Sequence, residues 1–146
     1  MNLRIRKMEP KDLEPLYRLL SDPDVMRYLE PPFTLEKTKE FLNRCGLSDP
    51  PLVYAVDADG EFTGYVICHD YDEKSMEIGW VLFPECWGKG YASQLTDRML
   101  SKARHESKDA VIECDPDQAA TKSIALKHGF TYEGNRDGLE VFRRSL

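Results

Sequence analysis

The sequence has no long apolar run, no paired-cysteine motif and no low-complexity tract, and each absence excludes a class of protein. No stretch approaches the roughly 18 apolar residues that a membrane-spanning helix requires. The four cysteines form no C-x-x-C pair and the three histidines lack metal-ligand spacing, so we expect no metal site. The amino terminus alternates apolar and basic residues without the apolar block of a signal peptide, which predicts a cytoplasmic protein with reduced thiols.

Positive charge is also in deficit. The chain carries 20 Lys and Arg against 26 Asp and Glu, for a net charge of −6. Nucleic acids and anionic membranes bind basic surfaces, so neither is an expected partner. A length of 146 residues is sufficient for one hydrophobic core, and no Gly/Ser-rich linker interrupts the sequence. We therefore expect a single domain over residues 1–146.

Hydrophobic periodicity predicts strands and helices along the whole chain. The predicted strands cover residues 3–7, 52–56, 62–69, 76–83, 110–114, 130–133 and 139–143, and the predicted helices cover 10–20, 25–29, 34–42, 91–103 and 121–128. A turn at 57–60 and another at 72–75 should make the three middle strands an antiparallel meander. This order predicts an α/β (α+β) fold with a mixed, mostly antiparallel central sheet flanked by helices.

The strongest local motif is Trp87-Gly88-Lys89-Gly90-Tyr91-Ala92, between a predicted strand and a predicted helix. Glycines let backbone amides approach an anion closely, and amides at a helix amino terminus lack partners. The motif therefore predicts a phosphate or pyrophosphate site, although a tight strand-to-helix turn alone would also explain it. No G-x-x-x-x-G-K-[ST] or G-x-G-x-x-G pattern is present, which disfavours mononucleotide and NAD binding.

Residues 77–92, from Glu77 through that motif, resemble the acetyl-CoA-binding motif of the GNAT (GCN5-related) N-acetyltransferases. The Trp-Gly-Lys-Gly-Tyr-Ala form is similar to the branch that contains the ribosomal-protein N-terminal acetyltransferases. A second block at residues 115–121, followed by Leu-Lys-His-Gly-Phe at 126–130, resembles the family's Asn-x-x-Ser helix that ends in Gly-Phe. The resemblance implies the acyl-CoA N-acyltransferase fold, with acetyl-CoA as cosubstrate and no metal.

The resemblance also implies which residues bind acetyl-CoA. A bulged strand would pair with the pantetheine arm, the glycine loop would hold the pyrophosphate, and the second block would add polar contacts. The implied binding residues are Val81, Leu82, Gly88, Lys89, Gly90, Tyr91, Ala92, Ser93, Gln118 and Thr121. Gln118 and Thr121 replace the usual Asn and Ser, which keeps the polar group but changes its reach. Trp87 stands where many relatives have Arg or Gln, although this branch commonly has Trp there; a hydrophobic plug over the sheet edge is the alternative reading of Trp87.

Three positions carry the catalytic roles that the resemblance implies. The Leu82 N–H would stabilise the oxyanion, Glu77 would act as general base through water, and the Thr121 hydroxyl would face the thioester. Glu77 could instead be an exposed strand residue. Ala125 stands where many relatives have a tyrosine acid, which is a departure from the pattern. The other candidate hydroxyls (Tyr91, Tyr132) and the nearby thiols (Cys86, Cys114) are expected to be packing residues.

The implied reaction is acetyl transfer to a primary amine, either a protein N-terminus or a small-molecule amine, by direct attack. A non-catalytic acetyl-CoA- or CoA-binding module with a regulatory role is the alternative, and a generic nucleotide-phosphate binder is a third reading. Segments 22–34 and 135–139 would shape the acceptor pocket, with Tyr28, Phe33, Asp22, Asp24, Glu30 and Asp137 as candidate contacts. The chain should be a monomer or a homodimer that pairs through the edge of its last hairpin.

Overall fold

A computed structural model describes residues 2–146. The strands are β1 (Leu3–Arg6), β2 (Val53–Ala58), β3 (Glu61–Asp72), β4 (Ser75–Leu82), β5 (Asp109–Cys114), β6 (Thr131–Arg136) and β7 (Leu139–Arg144). The α-helices are α1 (Leu13–Leu20), α2 (Pro23–Met26), α3 (Leu35–Phe41), α4 (Tyr91–His105) and α5 (Ala119–Lys127). Short 3-10 turns at Pro10–Asp12 and Pro84–Cys86 and a π turn at Leu42–Gly46 complete the elements.

The strands follow one another across the sheet in the order β1-β2-β3-β4-β5-β7-β6. The pairs β1/β2, β2/β3, β5/β7 and β6/β7 are antiparallel, and β4/β5 is parallel. The expectation of a mixed, mostly antiparallel sheet flanked by helices is therefore confirmed. Within residues 2–146, no helix is both long enough and apolar enough to cross a bilayer.

The chain forms two compact units, and the first comprises the chain to Ile67 together with Trp80–Tyr91. Its helix α1 buries Leu16, Leu19 and Leu20 completely or almost so. Two carboxylates, Asp12 and Asp57, hold the Arg6 guanidinium, with Nη1–Oδ2 and Nε–Oδ2 distances of 2.9 and 2.8 Å. This network ties β1 to β2 and to the start of α1, because one guanidinium has donors for both carboxylates.

The second unit comprises Cys68–Gly79 and Ala92–Leu146. Its core combines the apolar face of α4 with β5 and β7, and its fully or almost fully buried residues include Leu95, Met99, Leu100, Ala103, Ala110, Val111, Ile112, Val141 and Phe142. Gly129 ends α5 with φ +83°, as expected for a C-cap. The expectation of a single domain stays a prediction.

Several predicted boundaries were wrong because polar residues extend the strands. β2 continues through Ala58, since Asp57 pairs with Phe62 across the ladder and its carboxylate binds Arg6. The turn is therefore only Asp59–Gly60, both at positive φ (51° and 86°). β3 runs four residues into the polar stretch after Cys68, and β6 extends to Arg136. The helix predicted at 121–128 begins earlier, at Ala119.

Candidate functional site

The glycine loop before α4 is exposed and uses backbone conformations that favour glycine. Gly88 has φ +73° and Gly90 has φ +81°. A Cβ added at either position would meet nothing within 4 Å. Helix α4 begins directly afterwards at Tyr91, which is only 4% exposed and anchors the helix start in the core. Open space beside first-turn amide groups fits an anionic group such as a pyrophosphate, and the exposed Lys89 adds a positive charge.

Trp87 does not have the surroundings of a buried hydrophobic plug. Its side chain is 52% exposed, and its indole Nε1–H donates to the Leu82 carbonyl at 3.0 Å. The Trp87 backbone N–H also donates to the Pro84 carbonyl at 3.0 Å, which closes the short turn between β4 and the glycine loop. The alternative of a hydrophobic plug was therefore wrong, because Trp87 is about half exposed and its indole N–H is hydrogen-bonded to the Leu82 carbonyl.

The end of β4 is packed tightly against β3. A Cβ on Gly64 would lie 2.1 Å from the Val81 carbonyl oxygen and 2.8 Å from the Leu82 Cα. Val81 and Leu82 are themselves buried, and the next residue donates its N–H to the Thr63 carbonyl at 3.0 Å. Only glycine at position 64 allows this approach, which fixes the backbone that the resemblance assigns to the pantetheine arm. The implied bulge in β4 stays a prediction.

Ser93, in the first turn of α4, contacts His128. Ser93 Oγ lies 3.2 Å and Asp97 Oδ1 lies 3.3 Å from the same nitrogen, His128 Nε2. The other nitrogen, Nδ1, donates to the Ile124 carbonyl at 2.9 Å. In a Ser-His-Asp triad the carboxylate binds the nitrogen opposite the serine, which is not the arrangement seen. We therefore interpret His128 as a residue that fixes the first turn of α4.

The second predicted binding block lies at the start of α5. Gln118 is the N-cap residue, and its Oε1 accepts the backbone N–H of Asp115 at 2.9 Å, which closes the preceding turn. Thr121 is half-buried in the first turn of the helix. Ala125 is fully buried, so the position of the family's tyrosine offers no hydroxyl. These two polar side chains are thus on one short segment, as the sequence spacing predicts.

Glu77 on β4 is the carboxylate with the most perturbed surroundings among the predicted site residues. Its side chain is 21% exposed, and Oε1 lies 3.6 Å from Nε2 of His69 on β3. Burial raises the pKa of Glu77, the charge of His69 lowers it and the charge of Glu113 on β5 raises it, with a net increase. The alternative of an exposed strand residue was wrong. A carboxylate with a raised pKa suits a proton acceptor.

The remaining tyrosines and thiols divide between core and surface. Tyr91 is buried as expected, but Tyr132 is 51% exposed on β6, with its ring centroid 5.5 Å from that of Phe142, so its assignment to the core was wrong. Burial raises the pKa of Cys86, and it raises that of Cys114 to about 11. Both thiols therefore stay protonated near neutral pH, which suits packing residues rather than nucleophiles.

Several residues of the predicted acceptor segments have structural contacts of their own. Helix α2 lies within 22–34, and Asp22 caps it by accepting the Asp24 N–H at 2.8 Å. Phe33 is 6% exposed, with its ring centroid 6.0 Å from that of Phe41, so it is a core residue rather than an open contact. Glu30 is paired with Lys37 at 3.1 Å. In the segment 135–139, residues 137 and 138 form the exposed turn between β6 and β7.

The predicted site residues fall into two groups that follow the two units. Val81, Leu82, Gly88, Lys89, Gly90 and Tyr91 belong to the first unit, and Glu77, Ala92, Ser93, Gln118 and Thr121 to the second. Sequence reasoning missed His69, Tyr71 and Glu113, which gather near Glu77 in the second unit. His69 and Tyr71 could have been found from their spacing, because residues two apart on a strand share a face.

The comparisons with known proteins agree with the motifs. A family model described as an acetyltransferase (GNAT) domain matches residues 2–131. The chain is 31% identical over 137 residues to a relative described as an uncharacterized N-acetyltransferase, YnaD of Bacillus subtilis (strain 168), covering 90% of this chain and 81% of the relative.

Two solved structures show the same fold. RimL, a ribosomal L7/L12 alpha-N-protein acetyltransferase in complex with coenzyme A, matches with a TM-score of 0.85 and 20% identity, covering 100% of this chain and 95% of that one. Spermidine N-acetyltransferase from Vibrio cholerae, in complex with CoA and spermine, matches with a TM-score of 0.77 and 23% identity, covering 97% and 92%. The expectations of an N-acetyltransferase and of acetyl-CoA as its cosubstrate are confirmed, and no observation favours the non-catalytic alternative. On the family model and the curated relative together, this chain belongs to the GNAT family of acetyltransferases.

Proposed function

We propose that the chain acetylates a primary amine, with the α-amine of a protein N-terminus or a small-molecule amine as acceptor. The observation that carries this proposal is the half-buried Glu77 beside His69, a proton acceptor on the strand that precedes the glycine loop. An α-ammonium titrates near ~8 and a lysine ammonium near ~10.4, so an α-amine needs less help to lose its proton. We therefore rank α-amines above lysine side chains as acceptors.

We assign the binding of acetyl-CoA, which supplies an activated acetyl thioester, to the residues that the resemblance implies. The amides of residues 88–93, with the Lys89 side chain, would bind the pyrophosphate. Gln118 and Thr121 would supply polar contacts from α5. The Leu82 carbonyl already accepts a hydrogen bond from the Trp87 indole. We therefore assign only the Leu82 N–H, as the donor to the acetyl oxygen.

Glu77 takes the proton from the acceptor, and the Thr121 hydroxyl solvates the sulfur that leaves. The raised pKa of Glu77 favours proton uptake, because a carboxylate with a higher pKa is the stronger base. The buried, protonated thiols favour direct attack by the amine over a covalent route through cysteine.

We further propose a single domain over residues 1–146, a cytoplasmic location, and no nucleic-acid or membrane partner. The net charge of −6 supports the absence of polyanionic partners. The chain would be a monomer, or a homodimer formed through β6, the edge strand next to β7.

A thiol-release assay with acetyl-CoA and matched acceptors tests the proposal. The panel contains a lysine-free peptide with a free N-terminus, a lysine peptide with a blocked N-terminus, spermidine and an aminoglycoside. We expect CoA release with a free α-amine or a small primary amine, and much less with Glu77→Gln. Tight acetyl-CoA binding without release across the whole panel would instead support a non-catalytic module.

A further inference from the structure

His69 on β3 and Glu77 on β4 face each other within the second unit. His69 Nε2 lies 3.6 Å from Glu77 Oε1, and the two side chains are 26% and 21% exposed. A half-buried pair is screened less by water than a surface pair, so its charges interact more strongly. Protonation of either group therefore affects the other.

The backbone fixes which His69 nitrogen faces the carboxylate. Nδ1 lies 2.9 Å from the carbonyl oxygen of Asp70. A carbonyl only accepts hydrogen bonds, so Nδ1 carries a proton and the neutral ring presents the lone pair of Nε2 to Glu77.

The surrounding charged groups come from three strands. Tyr71, also on β3, donates its hydroxyl hydrogen to Glu113 Oε2 of β5 at 2.8 Å, and Arg136 Nη1 of β6 lies 3.5 Å from the same hydroxyl. Glu113 is therefore hydrogen-bonded within the cluster, while its charge still raises the pKa of Glu77. His69 supplies the opposing effect, since its positive charge lowers the pKa of Glu77.

We propose that His69 is a positioning residue for Glu77, which accepts the proton lost by the acceptor ammonium. This rests on the proposed function, which makes Glu77 the base. The ammonium N–H bond breaks, the nitrogen keeps its electron pair for attack, and the proton passes to the Glu77 carboxylate, whose Oε1 faces His69 Nε2 at 3.6 Å, and from there to solvent. Asp70 orients the ring by holding Nδ1.

The first test is the tautomer of His69, which does not depend on activity. Nitrogen NMR on the full chain should show the neutral His69 ring protonated at Nδ1, with an Nε2 signal that changes in Glu77→Gln. The exposed His105 at the end of α4 is the internal control and should not change. A neutral His69 protonated at Nε2, or an Nε2 signal that is the same in wild type and Glu77→Gln, would overturn the proposal.

The second test is kinetic and uses a double-mutant cycle. We expect His69→Gln to lower kcat by about 10-fold, less than the roughly 100-fold for Glu77→Gln, because Glu77 still takes the proton. Acetyl-CoA affinity should be unchanged, which shows that the variant is folded, and His105→Gln is the matched control. In the Glu77→Gln background, His69→Gln should cause no further loss. If the kcat losses of the two single variants multiply in the double variant, the two residues act independently and the pairing is contradicted.

The pH profile separates positioning from a structural role. Without the charge of His69, the pKa of Glu77 rises further, so the acid limb of kcat/KM should move to higher pH in His69→Gln. An unmoved acid limb would refute the pairing. A wild-type protein without turnover on any acceptor would refute the proposed function instead, and the NMR tautomer would still decide how His69 faces Glu77.

Discussion

Replacing the loop glycines with valine should strongly weaken acetyl-CoA binding while the protein stays folded. Gly88 and Gly90 hold φ values of +73° and +81°, which a β-branched residue does not adopt without strain. No atom lies within 4 Å of an added Cβ at either site, so a collision does not contribute. The exposed loop can therefore relax to negative φ, which turns its amides away from the pyrophosphate.

The two effects differ in size. A left-handed conformation costs an L-residue about 1–2 kcal/mol, and the lower entropy of the unfolded variant offsets about 0.4–1 kcal/mol, so each substitution should cost about 1 kcal/mol of stability. A hydrogen bond to a charged group contributes about 1.5–3 kcal/mol. Loss of two such bonds, at about 3 kcal/mol together, weakens CoA binding by roughly 100-fold.

Calorimetric titration with CoA, paired with urea unfolding, measures both. Gly60→Val is the matched control, because Gly60 has φ +86°, an equally open Cβ position and a place in the β2–β3 turn. We expect the control to lose about 1 kcal/mol, as each loop substitution does, and to keep its affinity. Unchanged CoA affinity in Gly88→Val/Gly90→Val would refute the assignment of this loop to the pyrophosphate.

Three further outcomes are expected. Gly64→Ala should lose about 3 kcal/mol or more in urea unfolding, because its Cβ would lie 2.1 Å from the Val81 carbonyl oxygen; a loss no larger than that of Gly60→Ala would contradict this packing. The kcat/KM should fall as the pH falls through the raised pKa of Glu77, since only the ionised carboxylate accepts a proton, and Glu77→Gln should abolish that acid limb; an identical limb in the variant would assign it elsewhere. Burial raises the pKa of Asp12, but hydrogen bonds from Arg6 and from a backbone N–H outweigh it and lower the pKa overall. The stability from Asp12 is thus present above the unfolded pKa and lost as pH falls through the lower folded pKa; urea midpoints from about pH 6 to about pH 3 should fall more steeply for wild type than for Asp12→Asn, and parallel curves would argue against the Asp12 linkage.

Local signals predicted the elements that depend on nearby residues. A helix was predicted over 34–42, and α3 begins there because the Thr34 hydroxyl caps it by accepting the Lys37 N–H at 3.1 Å. The helices predicted at 121–128 and 91–103 correspond to α5, which ends before Gly129 at φ +83°, and to α4. Each of these signals lies within one or two helical turns, where capping and periodicity determine the structure.

Contacts between residues far apart in the sequence were not predictable in the same way. His69 and Tyr71 read as the polar end of a strand, yet β3 continues because their partners, Glu77 and Glu113, come from other strands. Trp87 is an apolar residue by type, but its indole N–H donates to the Leu82 carbonyl across the short turn that follows β4. Sequence named the base candidate and the glycine loop, while only the structure supplied the residue that faces the base.

The most direct test follows a labelled acetyl group from acetyl-CoA to its acceptor by mass spectrometry, with CoA thiol measured in the same reaction. Our account requires the label on an acceptor amine, one free thiol for each label transferred, and a large loss of both in Glu77→Gln. Thiol released without label on any amine, or label transferred as quickly by Glu77→Gln, would contradict it.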